Sequence, residues 1–289
     1  MSDAAATHLA TDPAVSGNGA SPRLRLGGMA LRNGLLIHGP TSWAIAARAP
    51  DGELTVASGR KQTFGPGVAS IPLLRGPVKL LEGFAVVPIA RRSLAAARLP
   101  FEDPRVLAAA GVVTLVSGAV RRGRPATLGR ESFAALLGML PALVALRDSD
   151  LAAYHGVEHK AIGAYEQGRA DPREMPKEHD RCGSHLVAPL LVLSIAGQLV
   201  VERLVERPGP VTRGIAGLAG VGLAAEMFAW SERHPTSSLA RAFRRPGTEI
   251  QRLVATREPT EEQLEVGSAA LAEILRAEGT AAGAGSGGD

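Results

Sequence analysis

The stretch Asp150-Leu-Ala-Ala-Tyr-His-Gly-Val-Glu-His-Lys-Ala-Ile-Gly-Ala-Tyr-Glu-Gln-Gly168 decides how the rest of this sequence is interpreted. Aspartate is a residue type that caps the N-termini of helices, and Asp150 stands at the head of the stretch. Gly168, followed by Pro172, is typical of the end of a helix. The sequence therefore predicts a single helix across the whole stretch.

Two histidines within that helix carry the first functional signal. His155 and His159 are four residues apart, so both imidazoles lie on one face of the helix. With Glu158 they form H-x-x-E-H, the inverted zincin pattern, in which two imidazoles hold zinc and the glutamate is the general base. Because the pattern fixes only three positions, it also fits the solvated face of a surface helix.

A second segment adds three more side chains that can bind a metal. His179-Asp-Arg-Cys-Gly-Ser-His185 contains His179, Cys182 and His185 within a short span. The sequence has seven histidines and one cysteine, and this segment and the preceding helix hold that cysteine together with most of the histidines. This concentration favours a bound divalent transition metal, with zinc as the leading choice.

Composition excludes several other classes of protein. Apolar residues make up 45% of the 289 residues, aromatic residues only 3%, and the net charge is +4. The sequence has no basic surface interleaved with aromatic residues and no zinc-finger spacing, so nucleic-acid binding is not predicted. A single cysteine cannot form an internal disulfide.

Local patterns divide the chain into five regions. Residues 1–22 and 280–289 have the small, polar composition of disordered tails, and the first of them lacks the pattern of a signal peptide. Residues 23–77 predict a small β module, with a hairpin at Asp51-Gly52. Residues 78–250 predict helices that carry the His/Glu/Cys site. Residues 251–279 contain a final helix, with Thr260 as its N-cap.

Four apolar stretches within the helical region favour a membrane over an alanine-rich soluble core. They are Val106 to Val120, Ser132 to Leu146, Cys182 to Val201 and Gly214 to Ser231. A spanning helix needs about 20 apolar residues, and the third stretch meets that length most comfortably. Arginines flank the stretches at both ends, so the positive-inside rule gives no orientation. The expected fold is mainly α-helical with a small N-terminal β region, arranged as a multi-helix integral membrane bundle.

Glu226 is the only charged residue in the fourth apolar stretch. A carboxylate in an apolar helix is costly and usually has a partner or faces a polar interior. A glutamate on a separate helix is the usual third ligand of an inverted zincin, which makes Glu226 a metal-ligand candidate. The alternative is a glutamate that reaches the membrane surface near the end of its helix.

Several segments resemble the YqhQ-like family of bacterial membrane proteins, a family of unknown function described as metal-dependent enzymes. The matching segments include Gly27-Gly28-Met-Ala, Trp43-Ala-Ile-Ala-Ala-Arg48, Pro72-Leu-Leu-Arg-Gly76, Tyr154-His-Gly-Val-Glu-His-Lys160, His179-Asp-Arg-Cys-Gly183 and Gln263-Leu-Glu-Val266. The resemblance implies a multi-pass protein of the bacterial inner (plasma) membrane. It aligns the family's histidine, cysteine and late glutamate positions with residues 155–160, 179–183 and Glu226.

The leading hypothesis is a metal-dependent membrane hydrolase of unknown substrate. His155 and His159 would hold the metal, with Glu226 or the pair of His179 and Cys182 completing its shell. Glu158 would act as general base, and Tyr154, Tyr165 or Lys160 would stabilise an oxyanion. A shell closed by His155, His159, His179 and Cys182 would instead define a structural metal in a membrane scaffold or assembly factor. A protein that handles metal or haem is the third alternative.

Overall fold

A computed structural model describes residues 23–63, 67, 71–122 and 125–285. The predicted N-terminal tail over 1–22 lies outside the described residues, as does the end of the C-terminal tail over 286–289. The described chain is mostly helical with a small N-terminal antiparallel sheet, so the predicted fold class is confirmed at that level.

The sheet has four strands that follow one another in sequence order. They are β1 (Gly27–Ala30), β2 (Gly34–His38), β3 (Ser42–Arg48) and β4 (Leu54–Arg60), each antiparallel to its neighbour. The hairpin predicted at Asp51-Gly52 joins β3 to β4. Gly52 has φ 89°, a backbone conformation that residues with a Cβ rarely adopt, which explains glycine at this position.

Nine helices follow the sheet among the described residues. They are α1 (Arg75–Ser93), α2 (Pro104–Arg121), α3 (Leu128–Leu137), α4 (Leu140–Leu146), α5 (Ser149–Gln167), α6 (Val187–Leu204), α7 (Pro210–Arg233), α8 (Ser238–Ile250) and α9 (Glu261–Gly285). A π-helical turn over Gln251–Ala255 extends α8. The predicted final helix begins where expected, because Thr260 and Gln263 form a reciprocal cap. It continues past residue 279 to Gly285.

Helix α5 differs from the prediction at its start. It begins at Ser149, and the side chain of Asp148 caps it by accepting the Asp150 backbone N–H at 3.1 Å. The expected cap, Asp150, is therefore already inside the first turn. There its negative charge interacts favourably with the positive end of the helix dipole. At the other end Gly168 adopts φ 67° as predicted for a helix-terminating glycine.

Both faces of the sheet are buried. Because side chains alternate along a strand, neighbouring residues of β2 contribute to different cores. One face packs on α5 and α9 through Leu35, Ile37, Ala44, Tyr154, Val157, Val266 and Ile274. The other packs on α1 through Leu36, Trp43, Ile45, Val86, Val87 and Ala90. The sheet thus lies between α1 and the helix that carries the two histidines.

Four helices or helix pairs are long and apolar enough to cross a membrane. They are α2, the pair α3–α4, α6 with the short turn before it, and α7. Only 11% to 22% of each apolar segment is buried within the protein. Leu115, Leu136 and Leu218 are exposed by 75%, 62% and 64%. Apolar surface of this extent on neighbouring helices marks a contact with lipid or another apolar surface.

These apolar helices form two hairpins whose open ends meet the sheet. Arg32 of the β1–β2 turn pairs with Asp103 at the start of α2 and with Asp148 between α4 and α5. In the second hairpin α6 and α7 pack together, and Glu232 near the end of α7 pairs with Arg25 at 2.7 Å. The sheet, α5, α8 and α9 therefore lie at one end of the apolar helices.

The tip of each hairpin is closed by an ion pair. Arg121 pairs with Glu131 at 2.6 Å between α2 and α3, and Glu131 is almost fully buried. Arg213 pairs with Glu202 at 2.9 Å between α7 and α6. A buried carboxylate requires such a partner, since leaving it uncompensated costs several kcal/mol.

The C-terminal helix is attached to the sheet by Glu278. Its carboxylate accepts the backbone N–H groups of Thr41 and Ser42 at 2.9 and 2.8 Å, and the Thr41 hydroxyl at 2.8 Å. These donors belong to the β2–β3 turn, so one buried side chain fixes α9 across the sheet.

We expect Glu278→Ala to lower the free energy of unfolding by about 2 kcal/mol, because three donors in the turn lose a charged acceptor. Thermal melting of the purified protein, followed by the fluorescence of the buried Trp43, measures the change. Glu262→Gln, an exposed position on the same helix, is the matched control and should melt like the wild type. Equal melting of the Glu278 variant and the control would contradict the role given to Glu278.

Candidate metal site

Helix α5 brings the two histidines of the H-x-x-E-H pattern together on one face. The imidazole centroids of His155 and His159 lie 4.4 Å apart. Val157, on another face of the helix, is fully buried in the core, so α5 cannot rotate without exposing it. Core packing therefore sets the direction in which the imidazoles point.

A backbone carbonyl orients His155. Its Nδ1 lies 2.9 Å from the carbonyl oxygen of Ala255 in the π-helical turn. A carbonyl can only accept a hydrogen bond, so Nδ1 is the donor and Nε2 is the nitrogen left for another partner. That Nε2 faces Sγ of Cys182 at 3.4 Å.

His159 is held in the same way. Its Nδ1 donates to the carbonyl oxygen of Lys177 at 2.6 Å. Its Nε2 is buried and has no hydrogen-bond partner among the described residues. Burial, followed by the proximity of His155, lowers the pKa of His159 to about 2. A neutral imidazole with a buried, unpaired lone pair is the form in which histidine binds a metal.

Cys182 completes a group of three. It precedes a short 3₁₀ turn over Gly183–Leu186, and its Sγ accepts the Ser184 backbone N–H at 3.5 Å. The ligand atoms of His155, His159 and Cys182 all lie within 4.8 Å of one another. Burial raises the pKa of the Cys182 thiol to about 11, so a nearby cation is needed to stabilise its thiolate.

Glu158 lines a small cavity beside this group. The cavity has a volume of about 120 Å³, and its other walls include His155, His159, His179 and Cys182. Among the described residues no donor reaches the Glu158 carboxylate, and burial raises its pKa. A Cβ on Gly28 of β1 would lie 2.8 Å from this carboxyl group, so glycine leaves the space that Glu158 occupies.

His179 is near the group, but its two nitrogens are engaged elsewhere. Its Nε2 lies 3.2 Å from a carboxylate oxygen of Glu166, and its Nδ1 accepts the Arg181 backbone N–H at 3.3 Å. Its ring stacks beside His159 with the centroids 5.6 Å apart. The structure thus brings His179 to the wall of the site, in contact with a ligand candidate rather than among the three.

Glu226 is bound to a different partner. Its carboxylate accepts hydrogen bonds from the guanidinium of Arg75, with one N–O distance of 2.7 Å, and from the backbone N–H of Leu73 at 3.2 Å. Glu226 therefore docks the start of α1 on α7. It is not a member of the His155, His159 and Cys182 group.

Tyr154 and Lys160 face away from the small cavity. Tyr154 is buried in the core beneath the sheet, where burial raises its pKa. Lys160 donates to the carbonyl oxygen of Met175 at 2.7 Å and pairs with Glu258 at 3.0 Å. Tyr165, the other tyrosine considered, accepts the backbone N–H of Leu24 at 3.0 Å. These three side chains hold neighbouring segments against α5.

Sequence reasoning missed the residues that support the site. Gln251 accepts the His179 backbone N–H at 2.7 Å and donates to the Ser184 hydroxyl at 2.8 Å, which fixes the loop that carries Cys182. The carbonyl groups of Lys177 and Ala255 orient the imidazoles, but a carbonyl group is common to every residue and leaves no sequence signal.

The donor set fits a transition metal. Two imidazole nitrogens and one thiolate sulfur suit zinc, and each imidazole has the carbonyl partner on its other nitrogen that zinc-bound histidines usually have. Three protein ligands leave one position of a tetrahedral shell for water or substrate. His155, His159 and Cys182 would hold such an ion without a further protein ligand.

Fold and site together define a mostly helical protein that has four apolar segments of membrane-spanning length and a His–His–Cys group at one end of them. Residues 134–277 match the family described as "Protein of unknown function (DUF1385)". That range includes α5, the Cys182 loop and most of α9, and it is consistent with the expected uncharacterised family, while the resemblance to the YqhQ-like family stays a prediction. No curated protein and no solved structure matches the chain.

Elemental analysis of the purified protein should find roughly one equivalent of metal, as one tetrahedral site predicts. His155→Ala/His159→Ala should lose it, because the site is left with a single ligand. Glu226→Gln is the matched control and should keep the metal, since Glu226 is bonded to Arg75. Equal metal content in the wild type and the double variant would contradict the site. Metal loss in Glu226→Gln would make Glu226 a ligand candidate again.

Proposed function

We propose that this protein is a multi-pass protein of the bacterial inner membrane with a metal-dependent hydrolase site at the end of its apolar helices. The four largely exposed apolar segments support the membrane placement. Ion pairs tie the ends of both hairpins to the sheet and to the segment before it, which supports a position for the His–His–Cys group next to the membrane surface.

One observation carries the proposed metal centre. The Nε2 of His159 is buried, unpaired within the described structure and, because Nδ1 is bound to the Lys177 carbonyl, must be the acceptor of the ring. A buried acceptor without a donor costs about 1 to 3 kcal/mol. A cation that His155 and Cys182 also contact would offset this cost.

The number of protein ligands favours catalysis over a purely structural metal. A closed structural shell needs a fourth protein ligand, and His179 was the residue expected to supply it. Both nitrogens of His179 already have partners in Glu166 and Arg181. Three ligands with a cavity beside them correspond to the open arrangement of catalytic zinc sites.

Glu158 supplies the base that hydrolysis requires. A zinc ion in such a site lowers the pKa of water and polarises the bond to be cleaved. Glu158 lies on the cavity wall, where burial raises the pKa of its carboxyl group and so favours its uptake of a proton. It would take a proton from the attacking water and deliver it to the leaving group.

Glu158→Gln separates a hydrolase from a structural metal protein. If Glu158 is the general base, the variant should keep its metal content and melting temperature but lose function in cells, because removing a general base lowers rates by about 10²- to 10⁴-fold. Complementation of a strain that lacks the gene, together with elemental analysis and thermal melting, measures all three properties.

Cys182→Ser is the comparison variant for that experiment. It should lower metal content whichever role the metal has. A complementing Glu158→Gln protein beside a Cys182→Ser protein that no longer folds would refute the hydrolase and favour the scaffold with a structural metal, because such binding is coupled to folding.

The membrane placement has its own test. After cell lysis the full chain should remain with the membrane fraction through a high-salt wash and enter solution only with detergent, since apolar contacts persist when salt screens charges. Recovery of the folded protein in the soluble fraction without detergent would exclude the membrane placement.

A further inference from the structure

A second, much larger cavity lies beside the candidate metal site. It has a volume of about 1080 Å³, which is at the upper limit of the usual size of sites for whole small molecules. Four residues line both this cavity and the small one, namely His159, His179, Arg181 and Gly183. The two spaces therefore meet at the candidate ligand His159.

The large cavity lies where the second apolar hairpin meets the rest of the protein. Leu186 directly precedes α6, Arg233 ends α7, and both line the cavity. On the side of α1 its wall is formed by Gly76, Lys79 and Leu80. Because the hairpin ends mark the surface of the proposed membrane, the cavity lies at the boundary between lipid and water.

The cavity has an apolar part that faces this boundary. Leu80, Ala225, Phe228 and Ala229 line it from α1 and α7. Next to Leu80 on α1, Leu81 and Phe84 are exposed by 60% and 63%. The apolar lining thus continues onto an exposed apolar surface of α1.

The charged part of the cavity contains more cations than its own carboxylates neutralise. Each acidic residue in the wall has a basic partner, in the pairs Arg75–Glu226, Arg25–Glu232, Arg181–Glu166, Arg244–Asp180 and Lys177–Glu178. Two further cations line the cavity. Within the described residues Lys79 has no hydrogen-bonding or ionic partner, and Arg233 donates only to the Ala229 carbonyl of its own helix.

Arg233 also acts on Glu226 at longer range, but Arg75 already holds that carboxylate with two hydrogen bonds. Lys79 and Arg233 are therefore the two cations available to an anion in the cavity. An apolar lining with two available cations at a membrane surface matches the chemistry of one ligand class, an amphiphile with an anionic head group.

We propose that the large cavity admits an anionic lipid from the bilayer and presents it to the metal site. The head group lies between Lys79 and Arg233, and the hydrocarbon lies along Leu80 and Phe228. This inference rests on the proposed hydrolase, whose substrate class it names: an ester-linked anionic lipid.

The reaction at that substrate is an ester hydrolysis. Oxygen of water bonds to the carbon or phosphorus atom of the ester, and the bond from that atom to the leaving oxygen breaks. The proton that Glu158 removes from water passes to the leaving oxygen. No oxidant, reductant or second substrate other than water is required.

Native mass spectrometry of the full chain in detergent tests the binding step. Phosphatidylglycerol and phosphatidylcholine with identical acyl chains are the probes. One phosphatidylglycerol should bind about tenfold more tightly than phosphatidylcholine, the factor that one charge-assisted contact contributes. Lys79→Gln/Arg233→Gln should abolish this preference, while Arg92→Gln, an exposed arginine of α1 that is not part of the cavity wall, should retain it.

The single variant Lys79→Gln changes only an exposed side chain and should reduce the preference in a normally folded protein. Soluble glycerol 3-phosphate should not displace the lipid, because it lacks the hydrocarbon. Equal binding of the two lipids, an unchanged preference in both Lys79 variants, or displacement by glycerol 3-phosphate or by an apolar peptide would overturn the inference.

Metal analysis of the same samples distinguishes this inference from the proposed function. If the protein prefers phosphatidylglycerol but binds no metal, the result supports the lipid site and contradicts the proposed hydrolase. If the protein holds one metal ion but has no lipid preference, the result supports the metal centre and contradicts the lipid site. Glu158→Gln should bind phosphatidylglycerol like the wild type, since Glu158 is outside the wall of the large cavity.

Discussion

The hydrogen bond from Nδ1 of His159 to the carbonyl oxygen of Lys177 determines what the site can do. It decides which nitrogen of the ring carries the proton, and it turns the other nitrogen toward His155 and Cys182. It also ties the segment before the Cys182 loop to α5, so the orientation of the ligand candidates and the course of the loop depend on each other. A change that displaced this loop would alter the protonation pattern of the histidine as well as its position.

The small sheet gives the apolar helices a common base. Arg32 joins both ends of the first hairpin to the β1–β2 turn, and Arg25 joins the end of the second to the segment before β1. On the face of the sheet that packs against α5, Gly28 leaves room for Glu158. The N-terminal strands thus shape the site without contributing a ligand candidate to it.

Local features of the fold could be predicted from the sequence because each has a local cause. The hairpin at Asp51-Gly52, the end of α5 at Gly168 and the cap at Thr260 all follow from a few adjacent residues. The helical face shared by His155 and His159 follows from their spacing. The predicted cap of α5, Asp150, was wrong by two residues, since Asp148 is an equally suitable residue type and only the backbone geometry selects between them.

Contacts between distant residues could not be predicted in this way. Glu226 was considered a ligand because a carboxylate in an apolar helix needs a partner, but its partner Arg75 is 151 residues earlier. His179 was considered a ligand because of its residue type. Only the folded structure shows that its two ring nitrogens contact Glu166 and Arg181 instead. The pairing of His155 with the carbonyl of Ala255 joins positions 100 residues apart.

The 100 residues between His155 and Ala255 affect the order in which the site is assembled during translation. Ribosomes release the chain from its N-terminus, so both apolar hairpins, which end at Arg233, emerge before Gln251 and Ala255. Until Gln251 and Ala255 have been synthesised, the loop that carries Cys182 and the imidazole of His155 lack the partners that fix them. The ligand group therefore gains its last fixing contacts only after the sequence of both hairpins has been synthesised, so its assembly is a late event in the life of the chain.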